Sequence, residues 1–403
     1  MNNFQIAQRK IGENHPCYII AEVSCNHEGN LGEAKRIVEA AAVAGCDAAK
    51  IQTYTADTIS RNFKTRPKGT MWENLDLYQL YEKAHTPWDW HKELQKVADD
   101  NGIHLFSSPF DETAVDFLEE MKAPVYKIAS FEIVDIKLLE KVAKTGKPVI
   151  MSSGMSTYQE LDEAVRTLRE NGVKDLALLK CNSGYPGNFA EANLATIPVM
   201  KEMFGCVVGL SDHIIFADSQ LDQCRQPLAH VTPLEAVKLG AKLIEVHLTL
   251  DRDAARKLME KDAGGFDWPF SRTPEEMKRL VDMVRAYEAG KDVSYTTDLE
   301  KEMAAQAMGK VNFDPTPRET GSRGIRPSLW VVDDIKAGQP FKFAGGKKGN
   351  FDSIRPDGGL HIRFADAIEG RTAARDVAAG TPLAWDMVDT FREEKIPGVR
   401  LQA

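Results

Sequence analysis

No apolar run in this chain approaches the roughly 18 residues that a bilayer-spanning helix needs. The opening MNNFQIAQRKIGENHP also lacks the apolar centre of a secretory signal. A basic excess is missing too: 51 Lys and Arg against 60 Asp and Glu leave a formal charge of −9. That balance argues against nucleic acid or an anionic membrane as partner, since either wants a basic face. Cys17, Cys25, Cys46, Cys181, Cys206 and Cys224 form no CxxC and no regular spacing, so neither a disulfide framework nor a thiolate metal site is indicated. Reduced thiols in a cytoplasm are the simple expectation. No GxGxxG follows the first apolar run, which weighs against an open dinucleotide-binding sheet.

What the sequence does hold, from about residue 17 to 288, is short apolar runs alternating with amphipathic stretches, the pattern of parallel strands joined by crossover helices. The strand candidates are CYIIAEV (17–23), DAAKIQ (47–52), IHLFSS (103–108), PVYKIA (124–129), PVIMSS (148–153), LALLKC (176–181), CVVGLS (206–211) and KLIEVH (242–247). Between the first two, Leu31, Ala34, Ile37, Val38, Ala41 and Ala42 recur at helical spacing. Gly45, Gly102, Gly146, Gly172 and Gly240 stand where a left-handed residue closes a helix. Eight βα units in this length predict an α/β fold, a closed (β/α)8 TIM barrel over 1–288. A polar, charge-rich stretch at 289–322 reads as a linker. Residues 323–403, with SLWVVDDI, FDSIRP and TPLAWDMV, read as a small β-rich domain. So small a unit has limited core, which predicts docking on the barrel or on a partner subunit.

In a TIM barrel the chemistry sits at the C-terminal ends of the strands. Here those ends carry Glu22; Lys50 and Gln52; Ser107 and Ser108; Lys127 and Ser130; Ser152; Lys180; Ser211 and His213; and His247. One lysine near a strand end ordinarily snorkels to solvent. Lys50 and Lys127, however, lie inside apolar strands, where an ammonium without an anion costs several kcal/mol. With serine hydroxyls beside them, they predict a bound phosphate or carboxylate, or a ligand bearing both. His213 and His247 end neighbouring strands of the closed barrel, so two imidazoles can share one divalent ion. An open Mn2+- or Mg2+-like site completed by water and substrate oxygens fits two histidines better than structural zinc. Glu22 and Asp267 are the candidate acid/base or hydroxyl-binding carboxylates.

The blocks IIAEVSCNHEG (19–29), AAKIQTYTADT (48–58), FSSPFDETAVDFLEE (106–120), VYKIASFEIVD (125–135), LALLKCNSGYP (176–186), VGLSDH (208–213) and GGFDWPFS (264–271) resemble the sialic acid synthase family. YTADT, LYEKAHTPWDWH and FDWPFS incline the resemblance to its pseudaminic branch over the neuraminic and legionaminic ones. The family fold is a TIM barrel followed by a small antifreeze-like (SAF) domain, and SLWVVDDIKAGQPF with EGRTAARDVAAGTPLAWD looks like that domain. The resemblance implies a transferase joining phosphoenolpyruvate to an amino-sugar aldehyde to make a nonulosonic acid. It implies Lys50, Ser108, Lys127, Ser130, Ser152 and Ser211 for phosphoenolpyruvate, and His213 and His247 for Mn2+ or Mg2+. Glu22, Gln52, Tyr185 and Asp267 would hold the sugar, with Glu22, Lys50 and Lys127 as the catalytic groups. Arg355 would reach the sugar of a partner subunit in a domain-swapped homodimer. Against the family pattern, the IIFADSQLDQCRQPLA segment after His213 is long, ARKLMEK (255–261) is extra, Val246 replaces a usual Lys or Arg, and Asn182 a usual Thr. A sister synthase making neuraminic or legionaminic acid is the alternative within the family. A carbohydrate-binding barrel without turnover is the rival from another class.

Overall fold

The computed structural model describes residues 4–214 and 228–389. Cys224, most of the long segment after His213 and the last part of the C-terminal unit lie outside the described residues. A short hairpin, β1 (Phe4–Ile6) with β2 (Arg9–Ile11), precedes the barrel. Each strand run expected from the sequence then carries its strand: β3 (Tyr18–Glu22), β4 (Ala48–Thr53), β5 (His104–Pro109), β6 (Tyr126–Ile128), β7 (Val149–Ser152), β8 (Leu176–Cys181), β9 (Val207–Asp212) and β10 (Leu243–His247). They pair in chain order, and β10 returns to β3 in parallel to close the barrel.

Both faces of these strands are buried, which is why they read as near-continuous apolar runs. The outward row, including Ile19, Ala21, Ile51, Ile128, Met151, Leu178, Leu210 and Val246, packs under the helices. The inward row, including Tyr18, Ile20, Ala48, Phe106, Ile150, Leu179 and Leu243, fills the lower barrel, and Ile6 and Ile11 of the hairpin plug it from below. Burying each of the larger aliphatic side chains among them contributes roughly 1.5–3 kcal/mol. Because side chains alternate along a strand, the same inward row delivers Glu22, Lys50, Gln52, Ser108, Lys127, Ser152, Ser211 and His247 at the upper rim.

Helix Leu31–Ala44 shows how the outer layer is set. Asn30 accepts from the amides of Gly32 and Glu33 at its start, Gly45 at φ 90° ends it, and Ala34, Ile37, Val38, Ala41 and Ala44 form its buried face. The 289–322 stretch is not a solvated linker. It contains helix Asp298–Met308, opened by a Thr297–Glu300 capping box, and Met303, Ala304 and Ala307 join the barrel core. Few and mostly small apolar residues make that face faint in the sequence.

The C-terminal unit is a three-stranded antiparallel sheet, order β12 (Phe351–Ile354), β11 (Ser328–Val331), β13 (Thr381–Pro382). It has its own core, which includes Leu329, Val331, Phe341, Phe351, Ile368 and Leu383. It also docks on the barrel of its own chain: Ser353 Oγ donates to Asp135 (2.6 Å), the Arg355 amide donates to Ile59 O (3.0 Å), and Lys137 pairs with Asp366 (2.7 Å). Among the described residues no helix is long and apolar enough to cross a membrane, and Cys17, Cys25, Cys46, Cys181 and Cys206 are free and buried.

Candidate active site

At the upper rim the strand ends surround an open cavity of about 880 Å³. Its lower half is polar. Lys50 Nζ lies 2.6 Å from Glu22 Oε2 and donates to Ser108 Oγ at 3.3 Å. Lys127 Nζ lies 3.2 Å from Glu245 Oε1, which also accepts from Ser211 Oγ (3.1 Å) and faces Lys50 Nζ at 3.8 Å. The two ammoniums expected from the sequence therefore meet over one carboxylate. Burial pulls the Lys50 ammonium down, but Glu22 and Glu245 outweigh it and the net shift is upward. For Lys127 burial wins over Glu245 and the net shift is downward. Burial pushes Glu245 up, yet Lys127 and Lys50 bring its carboxyl to about 2. Ser130 Oγ accepts from the Gly154 amide (3.1 Å), and a Cβ on Gly154 would overlap Ser183 Oγ and sit 2.8 Å from Ser130 Oγ, so that close approach needs glycine. Ser152 Oγ is buried without a partner among the described residues.

Beside this cluster the rings of His213 and His247 lie edge to face with centroids 5.1 Å apart, and Phe270 packs against both. His213 Nδ1 sits 3.0 Å from Asn182 O, which leaves Nε2 for a ligand. Burial holds the His213 imidazole below its usual pKa, favouring the neutral ring a metal requires. His247 Nδ1 lies 3.0 Å from Asp267 Oδ2 without a well-formed hydrogen bond, and both atoms are otherwise unpartnered. No group of three or more His, Cys, Asp or Glu poised to hold a metal occurs among the described residues. The donor set fits a cation with two protein nitrogens and several open positions, not a closed zinc site. Gln52 Nε2 bridges Glu22 Oε1 (2.9 Å) and Ser24 Oγ (3.1 Å).

The upper half is aromatic. Tyr54, Trp72, Tyr81, Phe110, Phe131 and Tyr185 line it, and Tyr185 stacks on Phe131 and reaches within 4.4 Å of the His213 ring centroid. Arg355 enters from β12's end, pairs with Glu132, donates to the Tyr81 hydroxyl at 2.8 Å, and lies over the Phe131 ring at 4.3 Å. Within one chain Arg355 thus lines the cavity of its own barrel. Its backbone is tied to Ile59 and Ser60 of its own barrel, and so the guanidinium lands in its own chain's cavity.

Two further placements differ from the sequence reading. Lys180 shares the outward row of Leu176 and Leu178 and lies behind the site, near Glu319 and Asn312. Ser107 also faces outward, against Thr53 Oγ1 at 2.6 Å. Val246 is buried under the helices, away from the cavity. Glu245 escaped the sequence reading, although the alternation that turns His247 inward turns residue 245 inward as well. Glu132, Tyr81 and Trp72 escaped it because they sit on loops and short helices rather than strand ends. The extra ARKLMEK stretch forms most of helix Arg252–Met259, which packs beside the loop carrying Asp267.

An eight-stranded barrel whose rim gathers two buried ammoniums, acidic partners and paired imidazoles, followed by a small β domain that inserts an arginine, defines a synthase-type TIM-barrel enzyme. The NeuB family model matches residues 37–293 and the SAF domain model residues 326–389; the chain belongs to the NeuB family. It is 35% identical over 378 residues to the pseudaminic acid synthase of Helicobacter pylori, covering 93% of this chain and 98% of that one. The N,N'-diacetyllegionaminic acid synthase of Campylobacter jejuni is 32% identical over 364 residues, covering 89% and 96%. The crystal structure of the spore coat polysaccharide biosynthesis protein spsE from Bacillus subtilis superposes with a TM-score of 0.73 at 29% identity, over 96% of this chain and 99% of that one.

Proposed function

We propose that this chain condenses phosphoenolpyruvate with 2,4-diacetamido-2,4,6-trideoxy-altropyranose, in its open-chain form, to give pseudaminic acid and phosphate. The observation that carries this reading is the convergence of Lys50 and Lys127 on one point beneath the cavity, with Ser108, Ser130, Ser152 and Ser211 around it. That is a cradle for a small ligand bearing both phosphate and carboxylate. Lys50, Lys127 and Arg355 line the cavity against Glu22, Glu245 and Asp267. With those charges balanced, phosphoenolpyruvate brings a negative excess that a divalent cation at His213 and His247 offsets. When bound, Mn2+ or Mg2+ there supplies Lewis acidity toward the sugar's aldehyde oxygen.

The lysines and serines orient phosphoenolpyruvate with C3 toward the aldehyde carbon, which Gln52, Asp267, Tyr185 and Arg355 hold from above. The C2=C3 π pair bonds C3 to that carbon as its C=O π bond opens to an alkoxide, leaving cationic character at C2. Water adds to C2, Glu22 takes one of its protons and returns it to the alkoxide, and the tetrahedral intermediate expels phosphate by C–O cleavage as its C2 hydroxyl loses its proton to become the ketone. A cytoplasmic setting and a homodimer both accord with this reading.

The H. pylori relative favours the pseudaminic sugar, and the C. jejuni legionaminic relative keeps the sister reaction as the competing one. The test is phosphate release by purified protein with Mn2+, phosphoenolpyruvate and each amino sugar in turn. Preferred turnover of the 2,4-diacetamido altrose sugar is the expected result. Equal or faster turnover of N-acetylmannosamine or the legionaminic precursor overturns the assignment.

A further inference from the structure

Arg272 is a fully buried arginine in the upper barrel, and it touches both histidine-bearing strand ends. Its backbone amide donates to His247 O (2.8 Å), and its carbonyl accepts from the Thr249 amide (2.8 Å), extending the line of β10 past the histidine. Its guanidinium crosses to the end of β9 and pairs with Asp212, the residue immediately before His213. Asp212 in turn accepts from the Ile214 amide (3.2 Å) and from Thr232 Oγ1 (2.6 Å). The Asp212 side chain thus spans the backbone of His213 from one flank to the other. Arg272 also donates to Ala229 O (3.1 Å and 3.3 Å), just ahead of helix Val231–Lys238, and to Phe270 O (3.1 Å). Phe270 is the ring packed against both imidazoles.

We propose that Arg272, acting through Asp212 and through its own backbone, is the positioning residue that sets the spacing of the His213 and His247 imidazoles and so the affinity of the cation between them. A buried ion pair adds little net stability by itself, because desolvation offsets most of its attraction. Its value lies in geometry, and here one side chain joins the two strand ends on which a two-histidine site depends. Partners that orient metal-binding histidines ordinarily change metal affinity about 10–100-fold when removed. The inference rests on the reading that the two imidazoles hold a divalent cation.

The test uses the full chain with Mn2+ alone as probe, free Mn2+ being counted by electron paramagnetic resonance, in wild type, Arg272→Met and Arg272→Lys. Wild type binds one Mn2+. Arg272→Met binds it about 10–100-fold more weakly, and Arg272→Lys, which keeps the pair with Asp212 but not the fork to Ala229 and Phe270, falls between. Thermal melting runs alongside: a purely structural arginine lowers the melting temperature while leaving the Mn2+ affinity of the folded protein unmoved. That result, in whichever variant folds, overturns the inference and leaves the metal reading standing. Wild type that binds no Mn2+ overturns both.

Discussion

Glu245 is the residue on which the site's electrostatics turn. Two ammoniums packed into an apolar barrel would repel one another and lose hydration; Glu245 lies between them as the partner of Lys127 and the second carboxylate of Lys50, whose nearer partner is Glu22. Glu245→Gln leaves the Lys127 charge uncompensated, so the ligand-free protein should lose about 3–5 kcal/mol of unfolding free energy in denaturant titration. Phosphoenolpyruvate should then raise the variant's midpoint more than it raises wild type's, since the ligand restores the missing negative charge. Unchanged stability would mean that the lysines find their counter-charge elsewhere. Lys50 and Lys127 were legible because a lysine inside an apolar strand has few bland explanations. Glu245 was equally inward but was overlooked beside a histidine two positions on. Lys180 shows the converse: a lysine at a strand end is informative only when its parity turns it inward.

The sheet and its order were legible because alternation and glycine punctuation recur along the whole barrel, each unit confirming the next. That the C-terminal unit docks was legible from its limited core, but where it docks was not, because the contacts rest on side chains distant in sequence. Asp352 lies on β12 near Arg61, and Asp135 lies opposite at the base of the barrel helix Ile136–Ala143. Burial pushes the Asp352 carboxyl to about 7 despite Arg61, with Asp135 adding to the rise. Burial pushes Asp135 to about 6, against the hydrogen bond from Ser353 and with Glu132 and Glu112 adding. A carboxyl whose folded pKa is raised keeps a proton that the unfolded chain has released. Its contribution is therefore complete below about pH 4 and is lost as pH rises through 6 to 7. Urea midpoints should fall from pH 5 to pH 8, and Asp352→Asn should flatten that dependence. A midpoint that rises over the same interval would contradict the assignment.

At the scale of the whole chain, the barrel supplies the floor and the C-terminal unit supplies part of the roof. Arg355, held by Glu132 and Tyr81, carries a charge from one unit into the other's cavity. The sequence pointed to Arg355 for the sugar, but its seat in this cavity depends on contacts at Ile59, Ser60 and Asp135 that no local pattern encodes. The central claim is that the lysine-floored rim holds phosphoenolpyruvate so that water reaches C2 after the sugar has bonded to C3. Phosphoenolpyruvate labelled with ¹⁸O at the bridging oxygen tests it most directly, in the presence of Mn2+ and the diacetamido sugar. One phosphate should be released per product, with the label in the phosphate. Label retained in the sugar product, or product formed without phosphate release, would contradict it.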